Sequence, residues 1–332
     1  MVNFDKQTII NNYDYIYNQK AKIELIGDEL CKKDFDLLFF TSSGGSMAML
    51  QPFEHYINVY SKLHTASMVS ADYLLQGYNQ LTNKSIAFMT SKSGDTKETI
   101  ECAKKLKQQG ITIVSVCGKD DTPLQKLSDY CFVYLDGRPQ ELVFYILIGR
   151  ILFNKGYFAS YYDFVDNLKY LGNALAEVRI ACDEKCRKYA MAYHNEPYNI
   201  WVGSGELWPV TYAYAMCVLE ESQWVKTKSV TSAEFFHGTL ELVQNDTCVT
   251  LVTGEGITSK LDDRVKEFVQ PITDKFTCFD TKDYELPGIK QEYRKLLSPV
   301  VMNAILQRIG KNMEDITKHS LDIRRYYRKV NY

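Results

Sequence analysis

Hydroxyl side chains, a glycine and two charged residues are concentrated in the segment Ser91-Lys92-Ser93-Gly94-Asp95-Thr96. The apolar run before it, residues 86–89, predicts a short buried strand, and residues 99–106 after it have apolar side chains at helical spacing. A strand that breaks here and starts a helix directs hydroxyls and backbone N–H groups at one point, near the positive end of the helix dipole. The segment therefore predicts a phosphate-binding turn, and an ordinary helix N-cap is the alternative interpretation.

A second group of candidate residues lies in the other half of the chain. Glu220 and Glu221 end a predicted apolar helix, and His237 follows them in a segment with two phenylalanines before it and a glycine after it. Successive helical residues do not share a face, so only one of the two glutamates can point inward. A packed or capping histidine is the alternative for His237. A carboxylate and an imidazole at one phosphate-bearing pocket are the groups that shuttle protons on a sugar.

Strands and helices must alternate to position these residues. The first half predicts strands at 35–40, 65–70, 86–89, 111–116 and 131–135, with the turn Ser43-Gly44-Gly45-Ser46 after the first and a closing helix at 141–155. The second half begins again with a strand at 198–202, a small-residue turn and an apolar helix from about residue 208. Further strands are predicted at 249–252 and 276–279, and a last helix at about 298–309.

This repeated pattern predicts an α/β protein with two domains of the three-layer, flavodoxin-like type, each a parallel sheet flanked by helices. The expected organisation is a helical segment at 1–34, a first domain at 35–160 with the phosphate-binding loop, and a second domain at 161–332. Ligands in such folds bind beyond the carboxyl ends of the strands, where both small-residue turns lie.

The composition excludes several classes of protein. The chain has 332 residues, of which 45% are hydrophobic and 24% charged, and this is typical of a globular protein long enough for two domains. Its formal net charge of −2 gives no indication of a nucleic-acid partner. No apolar run approaches the length of a membrane span. The nine scattered cysteines favour reduced thiols in the cytoplasm over a disulfide framework.

Two short motifs could suggest a metal site and a dinucleotide site, but neither interpretation is favoured. Cys182 and Cys186 lie on a helical pattern without nearby histidine or cysteine partners, so helix packing is favoured over a metal site. The segment Gly203-Ser204-Gly205 has only part of a dinucleotide-binding fingerprint, and no acidic residue is suitably placed after a following strand. We therefore expect no metal and no redox cofactor.

These motifs together resemble the sugar isomerase (SIS) family, in which tandem SIS domains form the isomerase half of glucosamine-6-phosphate synthase and the sugar-amine 6-phosphate deglycases. The resemblance covers nearly the whole chain. The turns at 43–46 and 91–96 match the family's sugar and phosphate loops, and Leu219-Glu220-Glu221 matches its catalytic-glutamate helix. Residues 233–243 resemble its Gly-Glu-Phe-Arg-His-Gly-Pro-Leu-Glu-Ile-Val segment, with alanine at 233 and threonine at 239 as departures. The ending Asp322-Ile323-Arg324-Arg325-Tyr326-Tyr327 resembles that of fructoselysine 6-phosphate deglycases.

The resemblance implies a role for each candidate residue. The family's glutamate-to-histidine spacing selects Glu221 over Glu220 as the group that moves a proton between C1 and C2 of the sugar. His237 would assist ring opening, and Lys329 is a candidate for the lysine found near the end of some members. The implied substrate- and phosphate-binding residues are Gly45, Ser46, Ser91, Lys92, Ser93 and Thr96.

The activity that the resemblance implies is a deglycase, which splits a phosphorylated sugar–amino acid conjugate into a hexose 6-phosphate and an amino acid. A phosphosugar aldose–ketose isomerase and an amino-sugar 6-phosphate deaminase use the same proton shuttle and remain alternatives. Full glucosamine-6-phosphate synthase activity is disfavoured, because no glutaminase domain precedes the sugar domains. A sugar-phosphate sensor is the alternative from another class. We expect a cytoplasmic homodimer, or a higher homo-oligomer, whose subunits share the active site, and no nucleic-acid or membrane partner.

Overall fold

The structure, a computed structural model, describes residues 1–134 and 139–331. It divides into an N-terminal unit, Lys6–Asn173, and a C-terminal unit made of Met1–Asp5 and Ala174–Tyr332. The boundary expected between residues 160 and 161 falls inside the N-terminal unit. The physical reason is that the ring of Phe164 packs on those of Tyr145 and Phe158, with centroids 6.2 and 5.3 Å apart.

The N-terminal unit contains a parallel five-stranded sheet in the order β2-β1-β3-β4-β5. Its strands are β1 (Leu38–Ser42), β2 (Thr65–Val69), β3 (Ile86–Ser91), β4 (Thr112–Cys117) and β5 (Tyr130–Val133). Its helices are α1 (Lys6–Tyr17), α2 (Lys20–Lys32), α3 (Gly44–Tyr60), α4 (Ser70–Gln76), α5 (Lys97–Gln108), α6 (Pro123–Leu127), α7 (Gln140–Asn154) and α8 (Tyr161–Leu168).

Helices cover both faces of this sheet because its strands are apolar on both sides. Adjacent strand residues point to opposite faces. The ring of Phe39 lies 5.5 Å from that of Tyr73 on α4, whereas Phe40 contacts Phe88, which in turn contacts Phe144 on α7. The result is the expected three-layer α/β arrangement.

The C-terminal unit repeats this architecture with a parallel four-stranded sheet in the order β7-β6-β8-β9. Its strands are β6 (Asn199–Gly203), β7 (Thr227–Thr231), β8 (Cys248–Thr253) and β9 (Phe276–Asp280). Its helices are α9 (Leu171–Tyr193, which begins at the end of the N-terminal unit), α10 (Trp208–Tyr214), α11 (Glu221–Gln223), α12 (Ser232–Phe235), α13 (Ser259–Val269) and α14 (Gln291–Thr317). A π-helical segment, Ala215–Glu220, joins α10 to α11, and 3₁₀ turns lie at Gly205–Leu207, Thr239–Leu242 and Thr281–Asp283.

The first five residues of the chain belong to the C-terminal unit because Arg308 on α14 holds them there. Its Nη1 donates to the backbone oxygen of Val2 at 2.9 Å, and its guanidinium lies 6.0 Å from the ring centroid of Phe4. The same guanidinium forms a buried ion pair with Asp183 on α9, at 2.6 Å.

Three sequence-based expectations differ from the structure. The strand β7 was missed, because Thr-Lys-Ser-Val-Thr has a single large apolar residue and the strand lies half-buried at an edge of the sheet. The last helix runs from Gln291 to Thr317 instead of 298–309, since its polar ends lack an apolar stripe. The expected fifth strand extends to Leu135, which lies outside the described residues.

Within the described ranges, no helix has the length and apolar character that crossing a membrane requires. All nine cysteines are described and none forms a disulfide. Cys182 and Cys186 are buried on α9, where each Sγ contacts a backbone carbonyl, of Arg179 and Ile305 respectively.

Candidate functional site

The segment 91–96 forms the turn between β3 and α5. Ser91, the last residue of β3, is 2% exposed, and its Oγ accepts a hydrogen bond from the backbone N–H of Gly94 at 3.0 Å. Its Oγ also lies 3.4 Å from Oγ1 of Thr96. Gly94 adopts φ +69°, and a Cβ there would lie 2.4 Å from Cβ of Thr122. Glycine is therefore required at the centre of this turn both by its backbone conformation and by its packing.

The turn after β1 lies beside it. β1 and β3 are adjacent parallel strands, so their carboxyl ends meet at one edge of the sheet. Oγ of Ser43 lies 3.4 Å from Oγ1 of Thr99 in the first turn of α5. Gly45 is exposed and Ser46 is half-buried, both in the first turn of α3. In the strand order 2-1-3-4-5, the β1/β3 junction is the switch point at which such sheets bind ligands.

Neither helix at this switch point is capped by its own N-cap side chain. In the described structure Ser43 and Thr96 accept no capping hydrogen bond from α3 or α5, whereas Thr122 forms a complete capping box on α6. If the segment were an ordinary N-cap, the Thr96 side chain would accept a hydrogen bond from a backbone N–H of α5, and it does not. Two uncapped helix N-termini with adjacent hydroxyls provide N–H donors and positive dipole ends, which suit a phosphate group. Lys92 is exposed and Ser93 half-buried in the same turn.

The equivalent switch point of the C-terminal unit lies between β6 and β8 and holds carboxylates. Glu206 is 3% exposed, and a Cβ placed on Gly256, in the turn after β8, would lie 1.8 Å from its Oε1. Asp262 on α13 is 2% exposed and accepts hydrogen bonds from Ser232 at 2.5 Å and Thr253 at 2.9 Å. Burial raises the pKa of both carboxyl groups, and the proximity of Asp262 raises that of Glu206 further. Two acidic side chains would repel a phosphate here. The C-terminal unit therefore repeats the architecture of the N-terminal unit but not its anion-binding site.

The two adjacent glutamates lie where the π-helical segment ends, with Glu220 as its last residue and Glu221 as the first residue of α11. Glu220 is exposed and accepts a hydrogen bond from the hydroxyl of Thr227, the first residue of β7. Glu221 is half-buried and accepts from Nε of Arg324 at 2.6 Å. Nη1 of Arg324 is itself anchored by backbone oxygens of Leu321 and Ile323, at 2.7 and 2.9 Å. The structure thus gives the two glutamates different partners, and π-helical segments within helices often occur at functional sites.

Glu221 lies in a cleft of about 570 Å³ between α11, β7 and the C-terminal segment. The cleft is lined by Glu220, Glu221, Trp224, Val225, Lys226, Thr227, Arg324, Arg325, Tyr326 and Tyr327. Its size is in the range of small-molecule sites. Lys329 does not line it; this residue is exposed, and its backbone N–H donates to the oxygen of Tyr326 at 2.8 Å.

His237 lies beyond the other end of β7. Thr231, the last residue of that strand, caps α12 by accepting from the N–H of Glu234, and the N–H of His237 donates to the Glu234 oxygen at 2.9 Å. The imidazole is exposed. A five-residue strand spans about 13 Å between its first and last Cα atoms. In one chain, therefore, Glu221 precedes the amino end of β7 and His237 follows its carboxyl end.

The comparisons with known proteins agree with these features. The SIS domain family profile matches residues 36–148, which include both turns at the β1/β3 switch point. The N-terminal unit of the chain therefore contains a SIS domain. Outside the matched range, the C-terminal unit has a parallel sheet with the strand order of the first four SIS strands, 2-1-3-4. In the described residues no group of three or more histidine, cysteine or acidic side chains is placed to hold a metal ion.

Two curated relatives align with this chain over most of their length. A fructosamine deglycase of Bacillus subtilis is 26% identical over 323 residues, 94% of this chain and 97% of the relative. A fructoselysine 6-phosphate deglycase of Escherichia coli is 22% identical over 308 residues, 92% of this chain and 89% of the relative. The crystal structure of a candidate phosphosugar isomerase from Bacillus subtilis matches with a TM-score of 0.90 at 24% identity, covering 96% of this chain and all of the other. That structure confirms the predicted fold.

The cleft residues that the sequence did not assign to the site include Trp224, Lys226, Arg324 and Arg325. Arg324 and Arg325 belong to the C-terminal motif that resembles deglycase endings, which was the available signal. Nothing in the sequence indicates that this motif returns to the helix of Glu221. The return depends on Lys318, which ends α14 in the left-handed conformation at φ +55°.

Proposed function

We propose that this SIS-domain enzyme is a sugar-amine 6-phosphate deglycase, which releases an amino acid and a hexose 6-phosphate from a phosphorylated conjugate of the two. The observation that carries the proposal is that the chain has both an uncapped anion turn in one unit and a carboxylate cleft in the other, and that it aligns nearly end to end with two deglycases. Ser91, Ser93 and Thr96 would bind the phosphate with the turn amides.

The chemistry assigned to Glu221 is a proton transfer along the sugar. In a fructosamine-type conjugate, C2 is a carbonyl and C1 carries the amine. The carboxylate removes a proton from C1, which gives an enaminol, and returns a proton to C2, which gives an imine between C1 and nitrogen. Water then adds to the imine carbon, and the carbon–nitrogen bond breaks to release the amino acid and an aldose 6-phosphate. Proton transfer by a positioned side chain of this kind contributes about 10²–10⁴-fold to rate.

Arg324 positions this carboxylate. Its Nε holds one oxygen of Glu221 at 2.6 Å while its Nη1 is fixed by two backbone oxygens. Oε1 is thereby occupied, so Oε2 is the oxygen that we assign to proton transfer. A carboxylate held in one orientation by a charge-assisted hydrogen bond has less freedom to lose when substrate binds.

His237 would move a proton between the ring oxygen and the anomeric hydroxyl when the sugar ring opens. The separation of Glu221 and His237 along β7 favours a site in which the two groups come from different chains. We therefore propose a homodimer, or a higher homo-oligomer, in which His237 of one copy completes the site that holds Glu221 of another. Phe235 beside it is fully buried within its own unit and fixes the base of this loop.

A substrate panel tests the activity. Purified enzyme is incubated with 6-phosphates of fructosamine- and glucosamine-type amino-acid conjugates, and free amino acid and hexose phosphate are measured by mass spectrometry. We expect stoichiometric release of both products from at least one conjugate class. Interconversion of aldose and ketose 6-phosphates without amine release would establish the isomerase alternative instead, and release of ammonia from glucosamine 6-phosphate would establish the deaminase.

A further inference from the structure

The cleft beside Glu221 contains more positive charge than the proton transfer requires. Arg324 is paired with Glu221, but Arg325 and Lys226 have no carboxylate partner among the residues that the structure describes. The fifth charged residue of the lining, Glu220, is hydrogen-bonded to Thr227. The lining thus has three cations against two carboxylates, and this excess of positive charge indicates a site for an anionic group of a ligand.

Arg325 is held in a geometry that suits a planar anion. Its guanidinium carbon lies 3.9 Å from the centroid of the Trp224 ring. Stacking on an aromatic face fixes the plane of the guanidinium and leaves its N–H edges free to donate in parallel to two oxygens. Carboxylates are the planar groups that accept such a pair of hydrogen bonds.

The platform under Arg325 is built at a conformational cost. Trp224 has φ +59°, which is a rare conformation for a bulky residue. The ring of His319 supports it at a centroid distance of 4.2 Å, and Gln223 donates to the backbone oxygen of His319 at 3.0 Å. Strained residues that the surrounding structure holds in place are concentrated at functional sites.

We infer that this cleft binds the α-carboxylate of the amino-acid part of the substrate, through Arg325 stacked on Trp224 with Lys226 beside it. This inference rests on the proposed function, since only a conjugate with an amino acid brings a carboxylate close to the carbon on which Glu221 acts. It makes the enzyme selective for amino-acid conjugates over conjugates of simple amines. The phosphate is the other anion of the substrate, and the uncapped turn after β3 in the N-terminal unit is the site assigned to it.

The test compares two conjugates that differ only in this group: the 6-phosphates of fructosyl-glycine and fructosyl-methylamine. We expect the native enzyme to favour the glycine conjugate by at least about tenfold in kcat/KM, as a charge-assisted pair of hydrogen bonds implies. In Arg325→Gln this ratio should fall towards one. The ratio is insensitive to a general loss of folded enzyme, because both substrates are measured on the same preparation.

Arg328→Gln is the matched control. Arg328 is an exposed arginine of the same C-terminal segment and does not line the cleft, so the ratio should stay at its native value. Equal kcat/KM of the native enzyme for the two conjugates would overturn this inference and leave the proposed function intact. The inference would also be overturned if Arg325→Gln kept the native ratio of kcat/KM for the two conjugates. The same holds if Arg325→Gln instead lost the preference for phosphorylated over unphosphorylated conjugate. Absence of amine release from either conjugate would overturn the proposed function, and this inference with it.

Discussion

Glu221 and His237 lie beyond opposite ends of the same strand, β7, whose five residues span about 13 Å. Glu221 precedes the amino end, where its neighbour Glu220 is bonded to Thr227, and His237 follows the helical turn that starts at Thr231. A proton shuttle that uses both groups on one sugar is therefore difficult to assemble within one chain. In an oligomer, Glu221 of one copy and His237 of another can act on the same sugar.

Subunit mixing tests this arrangement. Glu221→Gln and His237→Asn should each be inactive alone, because each removes one member of every site. The two variants, unfolded and refolded together or co-expressed with different tags, should recover activity, because one of the two sites in each mixed dimer combines native Glu221 with native His237. The purified mixed dimer should therefore have about half of the native activity per subunit. Turnover is measured on the purified hetero-oligomer. Full activity of a monomer in analytical ultracentrifugation would contradict the shared site.

The two adjacent glutamates should differ in function. Glu221→Gln keeps the shape of the side chain but removes the base, so kcat should fall by about 10²–10⁴-fold while substrate still binds. Exchange of the C1 proton with solvent deuterium, followed by NMR, should stop. Glu220→Gln should change kcat only a few-fold, because this exposed side chain is bonded to Thr227. An essential Glu220 with a dispensable Glu221 would contradict the mechanism.

The sequence predicted the central strands well because their signal is local. β3, β4 and β8 are buried on both faces, and their largely apolar runs lie within two residues of the expected bounds. β7 was not predicted, because its residues are mostly polar and only its pairing with β6 identifies it as a strand. Without β7 the sequence could not show that Glu221 and His237 lie beyond opposite ends of one strand.

The cleft could be predicted only in part, for a similar reason. The spacing of Glu221 and His237 is a property of the sequence, but the contact between Glu221 and Arg324 joins residues separated by the whole of α14. It forms because the chain reverses at Lys318, and left-handed backbone at a lysine has no sequence signature. The same holds for Trp224, whose strained conformation is stabilised by His319 from that returning segment.

The phosphate assignment predicts a change in affinity more than in rate. Ser93→Ala and Thr96→Ala should each raise KM for a phosphorylated substrate by about tenfold or more, with smaller effects on kcat, because a hydrogen bond to a charged group contributes about 1.5–3 kcal/mol. Thr65→Ala is the control, since Thr65 lies at the amino end of β2, at the opposite edge of the same sheet. Steady-state kinetics measure KM and kcat of each variant. An unchanged KM in both loop variants would refute the assignment of the phosphate to this turn.

The geometry of the same turn predicts a stability difference between two glycines. Gly94 and Gly44 both have positive φ, at +69° and +54°, so alanine strains the backbone at either position. Only at Gly94 would the new Cβ also collide with Thr122, at 2.4 Å. Gly44→Ala should lower the free energy of unfolding by about 1 kcal/mol and Gly94→Ala by about 3 kcal/mol. Urea denaturation measures both, and equal losses would show that the collision relaxes without cost.

The ion pair of Asp183 and Arg308 should contribute strongly to the stability of the C-terminal unit. Two nitrogens of the guanidinium lie 2.9 and 2.6 Å from Oδ1 of Asp183, and Asn312 donates to the same oxygen at 3.1 Å. The Arg308 side chain is 3% exposed. Asp183→Asn leaves that charge buried without a counter-ion and should cost about 3 kcal/mol at neutral pH. Asp315→Asn, which breaks solvent-screened pairs with Arg187 and Lys318, should cost far less stability than Asp183→Asn.

The stabilisation by the ion pair of Asp183 and Arg308 should decrease as the pH falls. Burial by itself would raise the pKa of Asp183, but the hydrogen bonds from Arg308 and Asn312 outweigh it and hold the pKa below its usual value. The unfolded chain therefore binds a proton at this carboxyl more readily than the folded protein does. The stabilisation is complete above the unfolded pKa of about 3.9 and is lost as the pH falls through it towards the folded pKa. Urea denaturation from pH 7 to pH 3 should show the native protein losing its advantage over Asp183→Asn in this acid range. A difference that stays constant with pH would assign the effect to packing instead of charge.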